Sequence, residues 1–127
     1  MIRLSFYHSI NNYDDETYYN ESNLYPPDIE LEIFFDSNSI IIYFTQSGIT
    51  ANDWHNIWMA CKQNTFYKIS TNNSNNKIFI YTENGFTYFE SFSSSINNTR
   101  IKLSNNKTKK IFEKIYQRTI YHQNAKN

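Results

Sequence analysis

Lys77–Phe92, KIFIYTENGFTYFESF, sets Asn84-Gly85 between two runs of large apolar and aromatic residues. Asn-Gly is the preferred two-residue loop of a type I′ turn, because both central residues must take positive φ. Such a loop fixes the register: Glu83 faces Phe86, Tyr81 faces Tyr88, Ile80 faces Phe89 and Phe79 faces Glu90. Side chains alternate across a strand, so one face carries Ile78, Ile80, Thr82, Thr87 and Phe89. The other carries Phe79, Tyr81, Phe86, Tyr88 and Phe92, with Lys77, Glu83 and Glu90 at the margins. Both faces are rich in large side chains.

Upstream, Ile29, Leu31, Ile33 and Phe35 alternate with Asp28, Glu30 and Glu32, the period of a half-buried strand. Asp36-Ser37-Asn38-Ser39 supplies turn chemistry and Ile40–Thr45 returns as a second strand. With Ser37-Asn38 as the loop, Phe35 faces Ile40 and Glu32 faces Tyr43. One face is then apolar and the other acidic, with Glu30 and Glu32 beside Tyr43. Ile2–His8, Thr65–Ser70 and Arg100–Leu103 read as single strands, and the Asn-rich run 72–76 between strands reads as a loop.

Two helices complete the pattern. In Thr50–Lys62, TANDWHNIWMACK, Thr50 is a candidate N-cap with Asp53 at N3, a short-armed capping box. At 3.6 residues per turn, Trp54, Ile57, Trp58 and Cys61 fall within about 100° of one another and form an apolar stripe. After Ser104, residues 105–121 place Ile111, Phe112, Ile115, Tyr116 and Thr119 on one side. Lys107, Lys110, Lys114 and Arg118 lie on a neighbouring side with Tyr121, a basic stripe about 16 Å long. The expectation is an α+β fold in a single domain spanning 1–127. An antiparallel sheet built from two hairpins plus single strands carries two amphipathic helices, about 50–62 and 105–121. Residues 9–27 form a long acidic, Tyr-rich loop, and 122–127 a frayed polar tail.

Composition agrees with a globular domain. Hydrophobic content is 39% and aromatic content 18%, while valine is absent, so the core volume must come from Ile, Phe, Tyr and Leu. Nineteen asparagines, seventeen isoleucines and nine lysines favour A/T-rich codons, which points to a low-GC bacterium, phage or large virus. Net charge is zero, yet residues 1–63 carry nine acids against two bases and residues 64–127 three acids against ten bases. One cysteine makes no internal disulfide, and the chain has neither a signal-peptide pattern nor an apolar run of membrane-spanning length. These features lead to an expected cytoplasmic location in a bacterial or host cell, with no membrane partner.

The reactive-looking residues of the first helix do not converge. Asp53 and His55 point about 160° apart, and His55 and Cys61 about 120° apart. Cys61 shares a face with two tryptophans, which suits a buried thiol better than a nucleophile. The three histidines are far apart, no Cys-x-x-Cys or His-x-x-x-His occurs, and two glycines leave no phosphate-cradling loop. No catalytic residue, metal ligand or cofactor site is expected.

What remains is binding. The leading expectation is a small non-enzymatic protein that occludes or neutralises another macromolecule, in the manner of an immunity protein or a phage or viral anti-defence inhibitor. Its acidic surface of Tyr13, Asp14, Asp15, Glu16, Tyr18, Tyr19, Glu21, Glu30, Glu32 and Tyr43 would meet a basic, nucleic-acid-binding site on a protein partner. The alternative is a single-stranded nucleic-acid binder using the aromatic hairpin face (Lys77, Phe79, Tyr81, Tyr88) and the basic helix (Lys107, Lys110, Lys114, Arg118). A third expectation is a homodimer joined through the acidic and basic halves.

Overall fold

A computed structural model describes residues 1–7, 28–44, 46, 48–73, 76–93 and 99–125. The decisive hairpin forms as its turn dictates. Asn84 and Gly85 sit at φ 53° and 85°, and the strands on either side pair with Glu83 on Phe86 and Tyr81 on Tyr88. In chain order the elements are β1 (Ile2–Tyr7), β2 (Asp28–Phe35), β3 (Asn38–Phe44), α1 (Ala51–Gln63), β4 (Tyr67–Asn73), β5 (Asn76–Glu83), β6 (Phe86–Ser93), β7 (Thr99–Ser104) and α2 (Asn105–Ala125).

The strands make two antiparallel sheets rather than one, β1-β2-β3 and β4-β5-β6-β7. Three further details differ from the sequence reading. The first hairpin closes on Asp36-Ser37, so Phe35 faces Asn38, Glu32 faces Ile41 and Glu30 faces Tyr43. Asp36 takes the positive φ (32°) that the tight loop demands. A slip of two residues keeps every side chain on its expected face. Second, Asn72, Asn73 and Asn76 belong to the β4–β5 ladder instead of a loop. Third, α2 runs on to Ala125, past the expected end at Tyr121.

Packing follows the alternation. On the inner face of the four-stranded sheet, Ile69, Ile80, Phe89 and Ile101 line one cross-strand row, and Tyr67, Thr82, Thr87 and Leu103 the next. Both helices lie on this face. Phe112 of α2 stacks on Trp54 of α1 and reaches Phe89, with ring centroids 6.2 and 6.3 Å apart. Ile29, Leu31 and Ile33, the inner face of β2, join the same buried cluster as Ile57, Phe112 and Ile115. The two sheets thus share one core with the helix pair.

Local chemistry fixes the helix ends. Thr50 Oγ1 accepts from the Asp53 backbone N–H (3.2 Å), and Asp53 Oδ2 accepts from the Thr50 N–H (2.9 Å), completing the expected capping box. Asn64 terminates α1 in the left-handed region (φ 56°). Its Oδ1 accepts from Asn105 Nδ2 (3.2 Å), while the Asn105 N–H donates to the Gly85 carbonyl (3.1 Å). The end of α1, the hairpin turn and the start of α2 therefore meet at one point. At the other end of the helix pair, the buried Gln46 Oε1 accepts from Trp54 Nε1 (2.7 Å) and Thr119 Oγ1 (3.1 Å). No helix among the described residues is long and apolar enough to cross a membrane.

Candidate nucleic-acid interface

The acid, imidazole and thiol of α1 go to three separate environments. Asp53 is held by Thr50 and by the Tyr67 hydroxyl, which donates to Oδ1 at 2.7 Å. Burial raises the pKa of this carboxyl, but its hydrogen bonds outweigh burial and hold it below the ordinary value. His55 packs against the rings of Trp58 and Tyr116, with centroids 5.9 and 5.3 Å away. Cys61 is buried with Sγ 3.6 Å from both Thr87 Oγ1 and Thr108 Oγ1. Burial pushes its thiol up despite those two contacts, so little thiolate forms near neutral pH. Among the described residues no group of three or more His, Cys, Asp or Glu is placed to hold a metal ion.

The outer face of the four-stranded sheet is different. Residues that alternate with the buried rows come together there: Lys68, Tyr81, Tyr88 and Lys102 form one cross-strand row, and Ser70, Phe79, Glu90 and Arg100 the next. The aromatic residues sit on the two central strands and the cations on the two edge strands. Tyr81 and Tyr88 stack with centroids 4.9 Å apart and planes 18° apart. Phe66, 62% exposed, lies 6.4 Å from Tyr81. Each edge cation covers a ring. Lys68 Nζ is 4.3 Å from the Phe79 centroid, Arg100 Cζ 4.5 Å from Tyr88, and Lys102 Nζ 4.1 Å from the partly exposed Phe86.

Glu90, on the central strand β6, ties this layer together. It accepts a hydrogen bond from the Tyr81 hydroxyl and pairs with Arg100 Nε at 3.3 Å. Burial, then the hydrogen bond and negative charge of Glu90, raise the Tyr81 hydroxyl above its ordinary pKa, so it remains a proton donor. Both helices cover the opposite face, so neither lies over these rings. Such a surface offers flat π-faces at its centre and positive charge at both margins, the two ingredients of base stacking and phosphate attraction.

Of the residues predicted for this surface, Phe79, Tyr81 and Tyr88 fall in the cluster and Lys77 is exposed on the same face, beside the position of Phe92. The side chain of Phe92 lies outside the described residues. Lys107, Lys110, Lys114 and Arg118 are all exposed along α2, as their spacing requires. Arg118 also spans two rings, with Cζ 5.6 Å from Phe6 and 5.8 Å from Tyr121. However, α2 packs on the inner face of the sheet, so the basic stripe and the aromatic face do not form one surface. Phe66, Lys68, Arg100 and Lys102 were missed by sequence reasoning. Their signal was present in the alternation of Tyr67/Ile69 and Ile101/Leu103, but only the ladder to β5 and β6 shows which rings they meet.

Glu30, Glu32 and Tyr43 share the outer face of the three-stranded sheet. Glu32 is ion-paired with Arg3 and accepts from Ser39 Oγ (2.9 Å), while the Tyr43 hydroxyl donates to Asp28 Oδ2 (3.0 Å). Tyr13, Asp14, Asp15, Glu16, Tyr18, Tyr19 and Glu21 lie outside the described residues. No protein-family model, curated protein or solved structure matches the chain.

Proposed function

We propose that this protein binds single-stranded nucleic acid across the outer face of its four-stranded sheet. One observation carries the reading: stacked rings on the central strands lie between Lys68 on one edge strand and Arg100 and Lys102 on the other, with both helices behind the sheet. Bases replace the cations on the ring faces, and the displaced cations take up phosphates. No bond is made or broken in this function.

The test is fluorescence anisotropy with labelled RNA and DNA single strands of about a dozen nucleotides, and a duplex of the same sequence as control. Three phosphate contacts would give a slope of log K against log salt of about −2. Tyr88→Ala should cost about 1–3 kcal/mol of binding, and Lys102→Ala should make the salt slope shallower by about 0.7. No binding at low salt, or binding that ignores both substitutions, would refute the proposal.

The competing reading is a protein that occludes the basic site of a partner through acidic, Tyr-bearing surface. It is supported by the outer face of the three-stranded sheet, where Glu30 lies beside Tyr43 and the well-exposed Ile41. Recovery of one stoichiometric protein partner by pull-down, lost on Glu30→Lys, would favour it; an empty pull-down would count against it.

A further inference from the structure

Glu90 is an acid at the centre of a face built from rings and cations. It lies on the central strand β6, directly across from Phe79 on β5 and Arg100 on β7, and follows Tyr88 on the same face. The other acid of this face, Glu83, stands apart at the hairpin turn. The Glu90 side chain is only 19% exposed, and both of its contacts fall on one oxygen. Oε1 accepts from the Tyr81 hydroxyl and pairs with Arg100 Nε at 3.3 Å. Oε2 makes no hydrogen bond or ion pair with any described residue.

A carboxylate repels phosphate, whereas Lys68, Arg100 and Lys102 on the edge strands attract it. Negative charge at the centre and positive charge at both margins therefore set the bases of a bound strand over β5 and β6 and its backbone toward an edge. A carboxylate also only accepts hydrogen bonds, so a base beside it must donate. Adenine, cytosine and guanine each offer an exocyclic amino group on the edge that a single strand leaves open. Uracil and thymine offer one ring N–H between two carbonyl oxygens, and those oxygens face the carboxylate unfavourably.

We infer that Glu90 is a specificity residue, which uses Oε2 to favour strands whose bases carry an exocyclic amino group over strands of uracil or thymine. The inference rests on the proposed nucleic-acid binding and adds the class of base that this face accepts. Tyr81 and Arg100 hold the carboxylate by its other oxygen, so it is positioned before the strand arrives.

Anisotropy titrations with labelled oligocytidine and oligouridine of about a dozen nucleotides test it. The two strands share ring size and backbone and differ at ring position 4, amino against carbonyl, and in the proton on N3. Oligocytidine should bind about tenfold more tightly. In Glu90→Gln the amide both donates and accepts, so the preference should shrink to about twofold, chiefly because oligouridine gains. A purely structural loss would weaken both strands in parallel. Should that variant fail to fold, a strand of pyrimidin-2-one nucleotides, which is oligocytidine without its amino groups, decides with the wild-type protein. It should bind no better than oligouridine. Equal affinity for the cytidine and uridine strands, parallel weakening of both in Glu90→Gln, or a cytidine preference that survives this substitution or loss of the amino groups, would overturn the inference and leave nucleic-acid binding standing. Binding of neither strand would remove that reading and the inference with it.

Discussion

The two sheets bury similar inner faces and present very different outer ones. Both contribute Ile, Leu or Phe side chains to a single core, as alternation requires. Outside, the four-stranded sheet sets cations over rings and ties them to a central carboxylate. The three-stranded sheet answers its own acid with Arg3 and leaves isoleucine in solvent at one edge. Inner faces record the demands of folding, which are alike everywhere in a small domain. Outer faces are released from that demand, so a difference between them points to what each surface meets.

The sharpest way to break this picture is to attack the shared core. Trp54 is fully buried, stacks on Phe112 and donates to Gln46, so it joins the helix pair to the chain leaving β3. Trp54→Ala should lose about 3–5 kcal/mol in urea denaturation, with far-UV signal and tyrosine fluorescence changing in one coincident transition. Separate transitions would mean that the two sheets are independent units.

A smaller effect sharpens the contrast between the ends of the helix pair. Asn105 is buried, accepts from Thr87 Oγ1 (2.8 Å) and donates to Asn64, and Thr87 in turn lies 2.7 Å from Thr108 Oγ1. Asn105→Ala should cost about 1–3 kcal/mol, because it strands buried polar partners. Hydrogen exchange should accelerate first in β6, β7 and the start of α2, not in β2. Uniform acceleration would contradict a localised anchor.

The smallest expected effect is the pH dependence of the α1 cap. The folded pKa of Asp53 lies below its unfolded value, so ionisation stabilises the fold above the ordinary carboxylate range and that contribution fades as pH falls through the folded pKa. Asp53→Asn should cost about 1 kcal/mol near neutral pH and less at acid pH. An equal cost at both values would show that charge plays no part in the cap.

Much of this was legible because it is local. Asn84-Gly85 fixed a register that holds pair by pair, and Thr50 with Asp53 announced a capping box. The helical angles alone separate Asp53, His55 and Cys61. Less local features were not readable. Asp36-Ser37-Asn38-Ser39 offers turn formers at four successive positions, so the loop could close at more than one place. Nothing in β3 or β4 says that they belong to different sheets, since a strand's partner is chosen by packing across the whole chain. The candidate interface suffered most from this. Tyr81 and Tyr88 were found through their own hairpin, but Lys68 reaches them through the β4–β5 ladder, whose Asn-rich turn reads as a loop in sequence, and Arg100 and Lys102 reach them through the β6–β7 ladder across a longer connection.

The thiol of Cys61 has a practical consequence. It is the chain's only cysteine, and it sits between two threonine hydroxyls where helix pair and sheet meet. A maleimide reaches it only when that junction opens, so the rate at which native protein takes up the label is a clock for local opening. Conversely, a cysteine placed on the surface would be labelled long before it. The fold thus carries both a timer for its own breathing and a clean background for probes of either outer face.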